Sequence, residues 1–171
     1  TVEKVHSSPA RFDMKKLEAI NGDKIRALTI DEFLDWSLPF LTKAGVITGT
    51  ADEIALVKLA LPLIQERIIM LSEVPAMLKF LFVKNFAVEA DSVAKITDDA
   101  SKQVLQRSLK ELEPLATWNH ESIEAALRSS LIEEMGLKPR IAFGAVRIAT
   151  TGSTISPPLF ESMELLGKEA S

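Results

Sequence analysis

The sequence predicts an all-α protein made of two small helical bundles in tandem. Capping signals precede segments in which apolar residues recur at helical spacing, and glycine or proline follows most of these segments. Alternating β-branched runs, which indicate strands, are almost absent. Of the 171 residues 47% are hydrophobic and 26% charged, so the chain can bury a core. We expect eight or nine helices, with a leading segment over residues 1–28, a first bundle over 29–85 and a second over 86–171.

The first predicted helix begins after Asp13, whose carboxylate can accept a hydrogen bond from the amides of the first turn. It runs from Met14 to about Asn21, where Gly22 is expected to stop it. Its predicted inward residues are Leu17 and Ile20.

Two capping boxes begin the next two helices. Thr29 with Glu32, and Thr50 with Glu53, have the Thr-x-x-Glu spacing in which the hydroxyl and the carboxylate each accept from a free amide. The predicted inward residues of the first of these helices are Phe33, Trp36, Phe40 and Leu41. The second is apolar on nearly all sides, so it should be buried. Ser72 is the predicted N-cap of a further helix from Glu73 to Phe82.

Beyond a joint at residues 83–92 the pattern predicts four more helices. Asn119 is a candidate N-cap, and Gly136 and Gly152 are candidate stops. Ser156, Pro157 and Pro158 open the last helix, with the prolines expected in its first turn. The residues expected to face inward are Val104, Leu105, Leu109 and Leu112, then Ile123, Leu127, Leu131 and Met135, then Leu159, Met163 and Leu166.

The residue inventory excludes several chemistries. There is no cysteine, and the two histidines are far apart, so no disulfide, thiol nucleophile or metal site is expected. No glycine-rich phosphate loop and no catalytic constellation is recognisable. The longest strongly apolar stretch, residues 54–64, is too short to span a bilayer. The residues therefore indicate no catalytic site and no membrane partner, and we expect a monomer in the cytoplasm.

The charge distribution leaves room for a polyanionic partner. The 20 basic and 24 acidic residues give a net charge of −4, which is unusual for a nucleic-acid binder. Residues 137–160, however, include Lys138, Arg140 and Arg147 and no acid. From these features alone, the chain is a helical binding module whose partner is either an RNA or another protein.

Three ordered sets of motifs make the interpretation more specific. The first is Phe12-Asp13-Met14-Lys15-Lys16-Leu17 with Asn21 and Ile25. The second is Glu66-Arg67 with Leu71. The third is residues 144–152, then Pro157, Leu159-Phe160-Glu161 and 165–169. Together these sets resemble the C-terminal half of bacterial-type glutamyl-tRNA synthetases, and the resemblance covers essentially the whole chain.

This resemblance implies a fold and a division of labour. Residues 1–28 would be the tail of a stem-contact region, and residues 29–85 and 86–171 two anticodon-binding helical subdomains. The partner implied is the anticodon loop of a glutamate tRNA. The chain itself would carry no cofactor and no activity, while an upstream catalytic domain of the same protein would attach glutamate to tRNA using ATP and Mg²⁺. A protein-interaction module without RNA binding, and a stand-alone tRNA-binding relative, stay open as alternatives.

The resemblance also assigns roles to individual residues. Arg67 matches the position that contacts the third anticodon base, and Arg147 the one that contacts the first. Ser156, Pro157 and Leu159 match the loop near the middle base. Lys138 and Arg140 are candidate phosphate contacts because of their charge and place. Two structural alternatives stay open: Arg67 could complement a helix dipole, and Arg147 could be a buried ion-pair partner.

Overall fold

A computed structural model describes residues 13–83 and 90–171, and all regular structure in these ranges is helical. The all-α prediction is therefore confirmed. The helices are α1 Met14–Arg26, α2 Ile30–Lys43, α3 Ala51–Ile64, α4 Val74–Leu78, α5 Ala90–Val93, α6 Asp99–Leu112, α7 His120–Leu127, α8 Pro139–Thr151 and α9 Leu159–Leu166. Short 3₁₀ turns, Leu71–Glu73 and Lys79–Leu81, flank α4, and a π-helical segment, Arg128–Glu134, follows α7. The predicted boundary at residue 85 lies outside the described residues.

The described helices enclose two hydrophobic cores. The first, from α1 to α4, includes the fully buried residues Phe33, Leu41, Leu61, Ile64 and Leu78. The second, from α6 to α9, includes Ile123, Leu127, Leu131, Leu159 and Met163. Helix α9 belongs to the second core but also packs against α3, and its Leu165 lies on the first core. Helix α9 is therefore in contact with both halves of the chain.

The predicted caps at Asp13, Thr29, Thr50 and Asn119 are confirmed. Both capping boxes are complete, and the side chains of Asp13 and Asn119 accept from the amides three residues on. In the second box the Glu53 carboxylate accepts from the amides of Thr50, Thr48 and Gly49. These hydrogen bonds, with that of the Thr50 amide contributing most, lower the pKa of Glu53 to about 2. Local sequence therefore fixes where these helices begin.

Helix α1 differs from its prediction. It continues through Gly22 to Arg26, and Leu17 and Ile20 are about half exposed instead of inward. The buried residues of α1 are Gly22 and Ile25, so the helix approaches the first core through its C-terminal half. A Cβ atom on Gly22 would lie 3.2 Å from Cγ2 of Ile69. Gly22 therefore permits close packing and does not end the helix.

Four other predicted inward residues lie on the surface. Trp36 is 61% exposed and Leu109 66% exposed, and Phe40 and Met135 are exposed to a smaller extent. The buried stripe of α2 consists of Phe33, Leu34, Ser37 and Leu41. Trp36 lies at the edge of that stripe, on a part of α2 that the packed helices of the described chain leave uncovered. Helical spacing located the apolar stripe only approximately.

Two predicted helix starts were wrong. No side chain caps α4, and Ser72 lies within the preceding 3₁₀ turn, where the Glu73 carboxylate accepts from the amides of Met70 at 2.7 Å and Ile69 at 3.1 Å. The helix predicted from Glu73 to Phe82 is divided into short α and 3₁₀ turns. In α9, Pro158 is the N-cap and Pro157 precedes it, so neither proline lies in the first turn.

Candidate nucleic-acid interface

Arg67 lies just beyond the C-terminal end of α3. Its backbone amide donates to the carbonyl of Ile64 at 2.8 Å, and its side chain is exposed. The neighbouring Gln65 holds this turn, because its side-chain amide donates to the carbonyls of Ile25 at 3.0 Å and Leu28 at 2.8 Å. Within residues 13–83 and 90–171 no carboxylate pairs with Arg67. Its guanidinium therefore remains available to a ligand.

Arg147 is partly buried on α8 and is held by hydrogen bonds. One guanidinium nitrogen donates to the Ser156 hydroxyl and, at 2.8 Å, to the carbonyl of Pro157. The Ser156 hydroxyl donates to the same carbonyl at 2.9 Å. Arg147 thus fastens the loop before α9 to the middle of α8. Among the described residues Arg147 is not a buried ion-pair partner, because the Ser156 hydroxyl and the Pro157 carbonyl are both neutral.

The two arginines lie close enough to influence each other. Burial, followed by the charge of Arg67, lowers the pKa of Arg147, and the carboxylate of Glu161 opposes this shift. A guanidinium remains protonated near neutral pH despite such a shift. Arg67, which follows α3, and Arg147, which lies on α8, thus bring two positive charges from the two halves of the chain near each other. Such an arrangement is unfavourable alone and becomes favourable when an electron-rich ligand lies between them.

The three residues predicted at the middle base are mainly buried. Ser156 is 6% exposed, Leu159 is 4% exposed, and Pro157 is buried as well. The Pro157 carbonyl is already occupied by Arg147 and Ser156. No side chain caps the first turn of α9, so the amides that follow Pro158 lack an intrahelical acceptor. The side chains of these three residues are therefore not available to a ligand, whereas Phe160 and Glu161 in the first turn of α9 are partly exposed.

Lys138 and Arg140 lie at the start of α8, on the surface. Lys138 is the N-cap, and the first turn contains no acidic residue. Cations are unfavourable at the positive end of a helix dipole, so their position does not stabilise α8. Neither residue forms an ion pair within the described ranges. An anion bound beside Lys138 and Arg140 would offset the repulsion between these cations and the positive end of the helix dipole.

One exposed histidine joins two helices of the second core. His120 Nδ1 lies 2.6 Å from a carboxylate oxygen of Glu164 on α9, and its backbone amide donates to the same oxygen at 2.9 Å. The hydrogen bond to Glu164 is the main cause that raises the pKa of His120. This pair fixes the beginning of α7 to α9. Sequence reasoning placed His120 at the surface but gave no signal for its partner.

The described residues contain no candidate metal site and no candidate membrane span. In residues 13–83 and 90–171 no group of three or more His, Asp and Glu side chains could hold a metal ion. In the same ranges no helix is long and apolar enough to cross a bilayer.

Comparisons with known proteins give a consistent result. A family model described as an anticodon binding domain matches residues 18–171. Glutamate–tRNA ligase from Saccharopolyspora erythraea is 46% identical over 99% of this chain and 34% of that protein. The same enzyme from Leifsonia xyli subsp. xyli is 48% identical over 96% of this chain and 34% of that protein. The chain thus spans about a third of the length of these relatives.

Solved structures show the same fold. A glutamate tRNA ligase from Elizabethkingia meningosepticum, in complex with its amino acid, superposes with a TM-score of 0.73 at 19% identity, over 99% of this chain and 33% of that chain. Glutamate-tRNA synthetase from Elizabethkingia anophelis gives a TM-score of 0.69 at 21% identity, over 99% and 32%. The helical arrangement described above therefore occurs in a known class of domain.

Proposed function

The chain belongs to the anticodon-binding domain family, and from that premise we propose that it binds the anticodon loop of a glutamate tRNA as part of a glutamate–tRNA ligase. One observation carries the proposal: Arg67 and Arg147, from separate cores, lie near each other on one surface. The relatives described above are glutamate–tRNA ligases by name. The activity of such an enzyme would belong to a longer protein of which this chain forms about a third.

Arginine suits the reading of unstacked bases. Single-stranded loops expose the pairing edges of their bases, and a guanidinium offers a planar fork of donors to the acceptors O2 and N3 of a pyrimidine. We propose that Arg67 contacts the third anticodon base and Arg147 the first. The exposed guanidinium of Arg67 supports the first assignment. For Arg147, one nitrogen is engaged by the Ser156 loop, so the base contact would use the remaining donors.

The loop before α9 would contact the middle base through its backbone. Ser156, Pro157 and Leu159 are buried, which leaves the uncapped amides of the partly exposed Phe160 and Glu161 at the start of α9 as donors. Arg147 would then act twice, as a base contact and as the residue that positions this loop. Lys138 and Arg140 would contact phosphates, and their substitution should weaken binding of every anticodon loop about equally.

The catalytic chemistry is assigned to residues outside this chain. We infer that a catalytic domain of the longer protein uses ATP with Mg²⁺ to attach glutamate to tRNA. Within that protein we expect this part to be a monomeric module working in the cytoplasm, joined to the catalytic domain in one chain.

Binding of two anticodon stem-loops tests the proposal. Fluorescence anisotropy would compare stem-loops carrying a glutamate and a glutamine anticodon, which differ as C and G at the third base. We expect tighter binding of the glutamate stem-loop and a shallow dependence on salt, because each phosphate contact contributes about −0.7 to the log–log slope for a single strand. Equal, salt-independent binding of both, or no binding, would contradict RNA recognition and favour a protein partner.

A further inference from the structure

A groove of about 890 Å³ lies between α8 and the turn that joins α5 to α6. We call it the α6–α8 groove. Its lining includes Lys95, Asp98, Arg140, Ile141, Gly144 and Arg147. Arg147 forms part of this groove while its guanidinium also holds the Ser156 loop. The groove is therefore continuous with the surface on which the proposed base contacts lie.

The charge of the groove is mainly positive. Its lining includes Lys95, Arg140 and Arg147 but only one acid, Asp98. Asp98 caps α6, where its carboxylate accepts from the Ser101 amide at 2.7 Å, and hydrogen bonds from Ser101 lower its pKa. That carboxylate is thus engaged with its own helix. Neither Lys95 nor Arg140 has an ion-pair partner in residues 13–83 and 90–171.

The face of α8 that lines the groove combines cations with open apolar surface. Arg140, Ile141, Gly144 and Arg147 follow helical spacing, and the first and last are about 10 Å apart along the axis at 1.5 Å per residue. Ile141 is 55% exposed, which is unusual for a large aliphatic side chain on an otherwise well-packed helix. A Cβ atom on Gly144 would meet no atom within 4 Å. The α8 wall of the groove therefore has an open space at Gly144, between the cations Arg140 and Arg147.

Lys95 is held opposite this wall. The hydroxyl of Ser101 donates to the Lys95 carbonyl at 3.3 Å, and the Lys95 amide donates to Ser92 at 3.1 Å. These bonds fix the backbone of the turn, so the cation projects from a defined position. Lys95 stands alone in an acidic part of the sequence, and only the fold places it near Arg140 and Arg147.

We propose that the α6–α8 groove binds the loop nucleotide next to the base contacted by Arg147, with Lys95 and Arg140 on its phosphates and its base over Ile141 and Gly144. This inference rests on the proposed function and extends it to residues that no motif indicated. Charge complementarity and continuity with the Arg147 surface select single-stranded RNA as the occupant. Because the contacts are to phosphate and to a base face, the groove adds affinity without reading sequence.

The first test uses the charged residues and the 171-residue chain. Lys95→Ala and Arg140→Ala should each weaken binding of the glutamate anticodon stem-loop roughly three- to tenfold and reduce the log–log salt slope by about 0.7. Both should weaken the glutamine stem-loop by the same factor. Lys110→Ala is the matched control, since Lys110 is exposed on α6 and does not line the groove. If all three variants bind alike, the phosphate contacts are wrong.

The second test fills the groove without changing charge. Gly144→Met should weaken binding at least tenfold while the melting temperature stays equal or rises, because the backbone at Gly144 is helical and the space in front of it is open. Gly144→Ala, which adds one methyl group, should bind nearly as well as the unsubstituted chain. Unchanged affinity of Gly144→Met would overturn the groove even if the proposed function holds. Absence of binding by the unsubstituted chain would instead overturn the proposed function, and this inference with it.

Discussion

The two halves of the molecule present the same side chain by different means. In the first half Gln65 holds the turn after α3 through the carbonyls of Ile25 and Leu28, and Arg67 projects freely beside it. In the second half no neighbour takes that role, and Arg147 itself holds the loop through Ser156 and Pro157. Two arginines with equivalent predicted contacts therefore differ in what they contribute to the fold. We propose Arg67 as a ligand contact only, whereas Arg147 is also part of the scaffold.

The largest effect should follow removal of the arginine with two roles. Arg147→Ala should lower the affinity for the glutamate anticodon stem-loop by more than Arg67→Ala, because it removes a base contact and releases the Ser156 loop. It should also reduce the free energy of unfolding by about 1.5–3 kcal/mol, the range for hydrogen bonds to a charged group. Urea unfolding followed by circular dichroism measures the stability, and anisotropy measures the affinity.

Ser156→Ala provides the matched control for that prediction. It removes one acceptor from Arg147 but leaves the guanidinium in place, so it should cost less stability and retain selection at the first base. If Arg147→Ala and Arg67→Ala proved equally stable, Arg147 would have no scaffold role, and the difference between the two halves would disappear.

Arg67→Ala should give a smaller and purely functional loss. We expect weakening by about 1–3 kcal/mol, the range for a good side-chain-to-base contact, with relaxed discrimination between C and G at the third base. The free energy of unfolding should change by less than about 0.5 kcal/mol, as for other exposed positions.

Arg67→Lys separates charge from geometry, because lysine keeps the charge but lacks the planar fork. It should retain part of the affinity and lose the discrimination between C and G. Equal losses for both stem-loops in Arg67→Ala would leave a general electrostatic role as the explanation.

Sequence reasoning succeeded where the determinants are local. The capping boxes at Thr29 and Thr50 are correct because each involves groups three residues apart, whose geometry follows from the helix itself. The exposure of Trp36 was missed because helical spacing gives the direction of a stripe but not which neighbour covers its edges. Gly22 was misread for a similar reason, since its small size serves contact with Ile69 in a distant part of the chain.

In the candidate site, too, the sequence predicted local features but not those that depend on tertiary packing. Arg67 and Arg147 were identified by motif, but their proximity depends on α9 packing against both cores. The burial of Leu159 agrees with its predicted inward position, but that of Ser156 was not anticipated, because a loop residue beside a helix start reads the same whether its side chain points in or out. Lys95 was missed because its surroundings in sequence are acidic, and only the fold brings it to α8.

Acidification should destabilise the first half of the chain through Glu53, whereas a rise in pH should destabilise the second half through His120. The pKa of His120 is raised, mainly by its hydrogen bond to Glu164, with smaller contributions from the charges of Glu121 and Glu161. Its stabilisation is thus complete below the ordinary value of 6.5 and is lost as pH rises through the folded pKa. The pKa of Glu53 is lowered from 4.5 to about 2, so its stabilisation is present above 4.5 and is lost as pH falls toward 2.

Melting temperatures of two variants across pH measure this contrast. The difference between the unsubstituted chain and His120→Ala should be largest below pH 6.5 and should shrink as pH rises through the raised pKa of His120. The difference for Glu53→Gln should be constant at neutral pH and should shrink on acidification. A His120→Ala difference that does not vary with pH would show that the backbone hydrogen bond to Glu164, and not the imidazole charge, holds α7 to α9.

The smallest effects should come from two helical glycines, one in each half. Gly144 has open space in front of it, so Gly144→Ala should raise the free energy of unfolding by about 0.5–1 kcal/mol through the better helix propensity of alanine. A methyl group on Gly22 would lie 3.0 Å from a guanidinium nitrogen of Arg26 and 3.2 Å from Cγ2 of Ile69. The arginine can move, but Ile69 must shift against the first core, so Gly22→Ala should gain no stability or lose some. Paired urea unfolding curves decide the matter, and a gain as large as that of Gly144→Ala would show that α1 packs against the first core more loosely than the contact with Ile69 implies.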